Sequence, residues 1–353
     1  MAGPVLVVGT GLLGTSIGLS LRRHDATVWL ADVSPEHVRT ASGLGAGIAA
    51  PPDGSPSLVV VAVPPDLLGP EIARALVDHP EAVVTDVGSV KSAPLQELRE
   101  KGVPGLERYV GSHPMAGSER SGPLAGSASL FDGRPWAVVP HADADDAAID
   151  TVTDLAELCG ATPLRLTPDE HDLAVARTSH LPHLLAVLAA GRLADAPAEH
   201  LALSGQGVRD VTRIAAGDPR LWQQIVAGNA AAVLGLLAEV RGDLDALIDA
   251  VTRDERGDLV ALLDRGVRGT QAIPGKHGGA PRPTETVFVS VPDHPGELAR
   301  LFADAGEIGV NIEDVHIDHD PGRPVGLVEL AVEESRAELL AGSLESRGWV
   351  THR

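Results

Sequence analysis

The 353-residue sequence predicts an α/β chain in three parts: an N-terminal half built on a parallel sheet, an all-helical middle, and a small C-terminal βαββαβ unit. Three observations carry that prediction. Short β-branched runs alternate with helical spacing at the start of the chain, and Ala/Leu/Asp-rich stretches of helical period follow from about Pro168 to about Gly266. Beyond a Gly/Pro-rich interruption, strand and helix patterns restart in a different order. The expected boundaries are residues 1–166, 167–267, a linker at 268–284, and 285–353.

In chain order, PVLVVG, TVWLAD, LVVVAV, AVVTDV and PWAVVP are the strands of the first part, mostly parallel because helical patterns separate them. NAAAVLGLLAEVRGDLDALIDAVTRDERGDLVALLDRG then predicts long amphipathic helices of the kind that supply a dimer interface. RGTQAIPGKHGGAPRPT is punctuated by Gly and Pro as a linker. TVFVSVPD, HPGELARLFADAG, VNIEDVHID, VGLVELAV, a helical stretch and WVTHR make the last unit.

A formal net charge of −21 repels nucleic acid and anionic membranes, so an anionic substrate would need a local arginine cluster. The start, MAGPVLVVGTG, has no basic leader region, and no unbroken apolar run reaches membrane length. Cys159 is the lone cysteine, which excludes an intrachain disulfide. The expectation is a cytoplasmic protein.

VVGTGLLGTSIG closes a strand and opens a helix with Gly9, Gly11 and Gly14 in the G-x-G-x-x-G spacing. That context points to a dinucleotide whose pyrophosphate meets the backbone of Gly9, Gly11, Leu12, Leu13 and Gly14 at the helix start. Asp32, ending the second strand, is spaced to accept from the adenosine ribose hydroxyls; its charge would repel a 2′-phosphate and favours NAD over NADP. The AVPP turn (Val63, Pro64) and Gly88 of DVGSVKS are further cofactor-facing positions. Ser89 suits either a ligand contact or a plain helix cap.

GSHPMAGSERSG follows the short run RYVG, so it belongs on the same ligand rim. Pro114 restricts His113 to extended backbone, presenting a stiffly held imidazole suited to general-base work. Glu119 can orient it or meet polar groups of a substrate, and Arg120 can pair with Glu119. In RTSHLPHLLAVLAAGRL, His180 and His183 have H-x-x-H spacing, but Pro182 and the missing further ligands count against metal; one histidine is expected to face the cleft. Arg209 and Arg213 stand at i and i+4 on one helix face, able to clamp carboxylates bidentately.

Assembled in order, VVGTGLLGTSIG, TDVGSVK, GSHPMAGSERSG, SHLPH and RDVTRIA resemble the prephenate/arogenate dehydrogenase family over nearly the whole chain. DHPGELARLF and GVNIEDV resemble an ACT domain. The resemblance implies a Rossmann domain, a helical dimerisation domain and NAD-dependent oxidative decarboxylation of prephenate to 4-hydroxyphenylpyruvate, or of arogenate to tyrosine. It makes His113 the base on the ring C4 hydroxyl, supported by Ser89. Arg213 would bind a carboxylate with Arg209 as helper, while His183 and Glu119 line the pocket. Asp293, Gly296 and Asn311 lie where ACT domains hold amino-acid effectors, and all three also suit ordinary turns and caps.

A two-domain β-hydroxyacid dehydrogenase shares this plan but uses a catalytic lysine in its helical part, and no lysine occurs between residues 102 and 275. A non-catalytic NAD and amino-acid sensor is the other rival; the intact set of His113, Ser89 and Arg213 argues against it.

Overall fold

The valine-rich runs are too short for helices and are bounded by Gly, Pro or Asp, so they extend as strands with helices packing back between them. The computed structural model describes residues 3–50, 54–117, 120–253, 255–274, 283–319 and 325–352. The first elements are β1 (Val5–Val8), α1 (Leu12–Arg22), β2 (Val28–Ala31), α2 (Pro35–Gly43), β3 (Ile48–Ala49), β4 (Leu58–Val61), α3 (Leu68–Asp78), β5 (Val83–Asp86) and α4 (Ser92–Glu100). All five strands are parallel, in the order β3-β2-β1-β4-β5, with Val5 opposite both Val28 and Leu58. The winding direction reverses between β1 and β4, which opens a crevice at their carboxyl ends.

Alternation along the strands covers both faces of this sheet. Val5, Val7, Val28, Leu30, Leu58 and Val60 pack against Ile17 and Leu21 of α1. Leu6, Val59, Val61 and Val84 pack against Leu68, Ile72 and Leu76 of α3 and Leu98 of α4. Fully burying each such side chain contributes about 1.5–3 kcal/mol.

PWAVVP departs from expectation. It forms β7 (Pro135–Val139), the middle strand of a separate three-stranded sheet with β6 (Gly111–Pro114), antiparallel, and β8 (Thr162–Arg165), parallel; α5 (Asp146–Leu158) joins β7 to β8. The chain leaves the main sheet after Tyr109, which meets Val84 of β5 through a single bridge. Arg108, just before it, is anchored on the carbonyls of Leu76, His79 and Ala82. His113 is therefore paired with Ala137 on a strand; the expected loop begins after it.

The middle of the chain is helical: α6 (Pro168–Val175), a π-turn at Ala176–His180, α7 (Leu181–Gly191), α8 (Ala198–Leu201), α9 (Gln206–Arg213), α10 (Pro219–Gly228), α11 (Ala230–Thr252) and α12 (Arg256–Gln271). The continuous helix Pro168–Gly191 has the length and composition of a membrane span, yet it carries the buried polar residues His171, Asp172, His180 and His183. Helix α12 runs past residue 267 into the expected linker, because glycine and proline begin to dominate only after Gln271.

By internal packing the chain forms two units, Met1–Gly242 and Asp243–Arg353. In the second, β9 (Thr284–Pro292), α13 (Glu297–Ile308), β10 (Ile312–His319), β11 (Val325–Glu333), α14 (Glu334–Ser346) and β12 (Val350–His352) realise the expected βαββαβ order. The sheet is antiparallel, in the order β10-β11-β9-β12. Val287, Val289, Leu330, Leu340 and Leu344 are in its core.

Candidate functional site

Helix α1 begins at the carboxyl end of β1 with Gly11 at its N-cap and no side chain capping it. Gly9 has φ +96°, and a Cβ there would overlap the Ala62 carbonyl. A Cβ on Gly14 would overlap the Gly9 carbonyl oxygen. Both glycines are thus required by the fold's own packing. Gly11 differs: nothing lies within 4 Å of the place its Cβ would take. Together with the uncapped N–H groups of Leu12 and Leu13, that open cradle fits a pyrophosphate at the positive end of the helix.

Asp32 stands at the end of β2, and its carboxylate accepts from Thr10 N–H at 2.7 Å, Thr10 Oγ1 at 2.9 Å and Ser34 N–H at 2.8 Å. Burial alone would raise its pKa; these bonds and the nearby His37 outweigh burial and hold it below the usual carboxylate value. An ionised carboxylate at this rim suits a ribose diol and disfavours a phosphate. Val63 and Pro64 follow β4 on the same edge. The N–H of Gly88 is taken by Asp86 Oδ1 at 2.8 Å, and a Cβ on Gly88 would overlap Leu68, so its own packing accounts for this glycine. Ser89 is not a helix cap: α4 is capped at Lys91. Its hydroxyl has no hydrogen-bond partner among the described residues.

His113 stands at the head of a hydrogen-bonded chain. Its Nδ1 lies 2.9 Å from His171 Nε2, and His171 Nδ1 lies 2.8 Å from Asp172 Oδ1. The Asp172 carboxylate also accepts from the N–H groups of Lys91 and Ser92, each at 2.9 Å, so it sits on the positive N-terminus of α4. Burial opposes its ionisation, but the bonds from His171, Ser92 and Lys91 prevail, and its pKa is below the ordinary value. An ionised Asp172 accepts a proton-bearing Nδ1 from His171; neutral His171 then accepts at Nε2 from His113 Nδ1–H. The lone pair of His113 is thereby assigned to Nε2. Burial first, then the neighbouring His171, Lys91 and His180, hold the His113 pKa well below 6.5, so the ring is neutral and able to take a proton at physiological pH.

Behind this chain lies a buried ionic cluster. Lys91 Nζ pairs with Asp86 Oδ1, and Tyr109 Oη donates to Asp86 Oδ2 at 2.7 Å. Burial and the Asp86 carboxylate push the Tyr109 pKa well above 10.0, which keeps the phenol protonated as a donor.

On the helical side, the π-turn is fixed by sequence: Pro182 lacks the N–H of a regular helix, and Leu181 N–H reaches back five residues to the Ala176 carbonyl. His183 stacks flat on Trp222, with ring centroids 3.5 Å apart and planes 6° apart. Gly217 makes room for the pair, since a Cβ there would approach Trp222 Nε1 to 2.6 Å. His183 and Trp222 line an apolar groove of about 560 Å³ between α7, α10 and α11. His180 meets the same indole edge-on, 6.1 Å between centroids, and its Nδ1 lies 3.3 Å from Asn229 Nδ2. Asn229 also donates to the Asp172 carbonyl at 2.7 Å. Arg209 and Arg213 are exposed on α9 and make no ion pair among the described residues. Arg213 directly precedes Ile214, whose backbone bonds the His183 ring.

Glu119 lies outside the described residues. Asp293 is exposed before the turn into α13, Gly296 is the N-cap of α13 with φ +97°, and the Asn311 amide bonds the Glu313 carboxylate at 2.7 Å. His171, Asp172, Asn229, Lys91 and Asp86 were not singled out from sequence. One signal was available: Thr167 and Glu170 form a capping box, which puts His171 and Asp172 near the start of a helix.

Residues 17–164 match the family model for the prephenate dehydrogenase nucleotide-binding domain, and residues 167–265 the model for the prephenate dehydrogenase dimerization domain. A curated relative, the probable prephenate dehydrogenase NovF of Streptomyces niveus, is 37% identical over 358 residues, covering 98% of each chain. The crystal structure of prephenate dehydrogenase from A. aeolicus in complex with hydroxyphenyl propionate and NAD+ superposes with a TM-score of 0.70 at 29% identity, covering 78% of this chain and 99% of that one. Arogenate dehydrogenase of Synechocystis superposes with a TM-score of 0.65 at 26% identity, covering 76% of this chain and 99% of that one.

Proposed function

The chain belongs to the prephenate dehydrogenase family, and from that premise we propose that it oxidatively decarboxylates prephenate to 4-hydroxyphenylpyruvate with NAD+, using His113 as the base. The observation that carries this reading is the chain Asp172–His171–His113, which leaves one neutral imidazole nitrogen with a free lone pair. Bound NAD+ supplies the hydride acceptor; Gly11, the start of α1 and Asp32 are the residues that fit it.

His113 Nε2 takes the proton of the C4 hydroxyl, which raises electron density at C4. As the imidazolium forms, its Nδ1–H stays bonded to His171, and the Asp172 carboxylate stabilises the added charge through that ring. The Ser89 hydroxyl, unpartnered among the described residues, is available to the same substrate oxygen. Arg213, with Arg209, supplies the cationic spot that a chain of net charge −21 needs in order to hold a dianion. Loss of the ring carboxylate as CO₂ restores aromaticity and makes the step effectively irreversible. A positioned base contributes about 10²–10⁴-fold.

We further read residues 285–353 as an ACT-type module for an amino-acid effector, supported by their βαββαβ order and antiparallel sheet. The helical part is read as the homodimer interface, supported by the dimerization-domain match and by exposed Leu188, Leu203 and Leu234. The deciding experiment mixes the protein with NAD+ and either prephenate or arogenate and follows NADH. Faster turnover of prephenate is expected. Preference for arogenate would replace the substrate assignment, and no NADH with either compound would overturn the enzymatic reading.

A further inference from the structure

His180 is 1% exposed, yet the relay from Asp172 to His113 does not use it. Its place follows from the π-turn. Nine positions separate it from His171, which in an unbroken α-helix puts the two roughly 180° apart, on opposite faces. The π-turn absorbs one residue, so the angle becomes roughly 80° and His180 swings to the side on which His171 meets His113. The same shift brings His183 from roughly 120° to roughly 20° of His171. Pro182 thus turns a surface-facing histidine into a cleft-facing one.

Its tautomer is then set by a neighbour. The two amide hydrogens of Asn229 Nδ2 go to the Asp172 carbonyl and to His180 Nδ1, so Nδ1 accepts and the ring proton belongs on Nε2. Burial lowers the His180 pKa to about 4, which keeps the ring neutral. Nε2 has no hydrogen-bond partner among the described residues, and it is not one of the sealed, unsatisfied polar atoms, which are Ser20 Oγ, Trp136 Nε1 and Gln224 Oε1. A buried ring thus holds one oriented donor at accessible space beside the base.

We propose that His180 is a substrate-binding residue, a neutral Nε2–H donor held by Asn229, which bonds an oxygen acceptor of the cyclohexadienyl acid other than the C4 hydroxyl. The proposal rests on the dehydrogenase reading above. Being uncharged, the donor selects an oxygen by direction and leaves charge recognition to the arginines.

The test compares wild type, His180→Leu and His180→Gln in full-length protein, with wild-type turnover of prephenate established first. A wild type without turnover would strike the dehydrogenase reading and not this one. In His180→Leu, KM for prephenate should rise about three- to tenfold, the range for one neutral hydrogen bond, with the Kd for NAD+ unchanged. His180→Gln, whose amide N–H can reach the Nε2 position, should recover most of that loss. A KM within twofold of wild type in folded His180→Leu overturns the proposal, as does an equal loss in both variants. Should neither variant fold, ¹⁵N NMR of the wild-type imidazole at neutral pH decides: an unprotonated Nδ1 with a protonated Nε2 supports the proposal, and the opposite tautomer overturns it.

Discussion

Replacing His171 with phenylalanine keeps a planar ring in place and deletes both of its nitrogens. Two bonds disappear: the 2.9 Å contact to His113 Nδ1 and the 2.8 Å contact to Asp172 Oδ1. Asp172 keeps the N–H groups of Lys91 and Ser92, so its charge remains solvated by the start of α4. The cost to folding is one buried partner left unpaired, about 1–3 kcal/mol. The cost to catalysis is larger in proportion. A hydrogen bond to a group that becomes charged contributes about 1.5–3 kcal/mol, and the imidazolium on His113 forms only as the proton transfers. Each 1.36 kcal/mol is tenfold in rate, so kcat should fall roughly ten- to two-hundredfold. KM for prephenate should change less than about threefold, because His171 is fully buried and both of its ring nitrogens are bonded within the chain. Steady-state NADH formation by His171→Phe, His113→Asn and the double variant is the assay. With His113 gone, the second substitution should have almost no further effect, since the two side chains act as one unit. A kcat within about threefold of wild type, or a full extra loss in the double variant, would refute the relay.

Three further expectations follow from the same geometry. Gly11→Ala should keep wild-type stability, because its Cβ meets open space, while the Kd for NAD+ rises at least about tenfold; Gly14→Ala should destabilise the fold outright, and calorimetry with cofactor titration separates the two. Arg213→Ala should raise KM for prephenate roughly ten- to a hundredfold with kcat largely kept, as loss of one charge-assisted carboxylate clamp implies; an unchanged KM would assign the clamp elsewhere. Folding stability should fall as pH drops below 6.5, because the folded pKa of His180 is about 4 and the unfolded chain binds the proton first; full depression is worth about 3 kcal/mol. His113 and His171, also lowered from 6.5, act with the same sign, whereas the lowered carboxyls of Asp172 and Asp32 matter only near or below roughly pH 4. Urea unfolding at roughly pH 7.5 and pH 5 checks this, and equal stabilities at the two values would contradict it.

What could be read from the residues alone was what depends on short-range spacing. The glycine pattern, the acidic end of β2, the helical period after Pro168 and the βαββαβ order of the last unit are local, and each folded as its pattern requires. His113 was legible because Pro114 marks its backbone as extended, although its place on a strand was not. That placement depended on a strand distant in sequence, β7, whose Ala137 pairs with His113.

Only tertiary structure assembled the site. His113 and His171 are 58 positions apart, and Asp172 meets Lys91 N–H across 81. No period or motif encodes such a pairing, because it arises where separate elements converge and because burial there decides which ring is neutral and which carboxylate is charged. Even the one local cue on the helical side, Pro182 between two histidines, required three dimensions: a proline predicts a broken hydrogen bond, but that the displaced His180 and His183 meet Trp222 and Asn229 is decided by packing between helices.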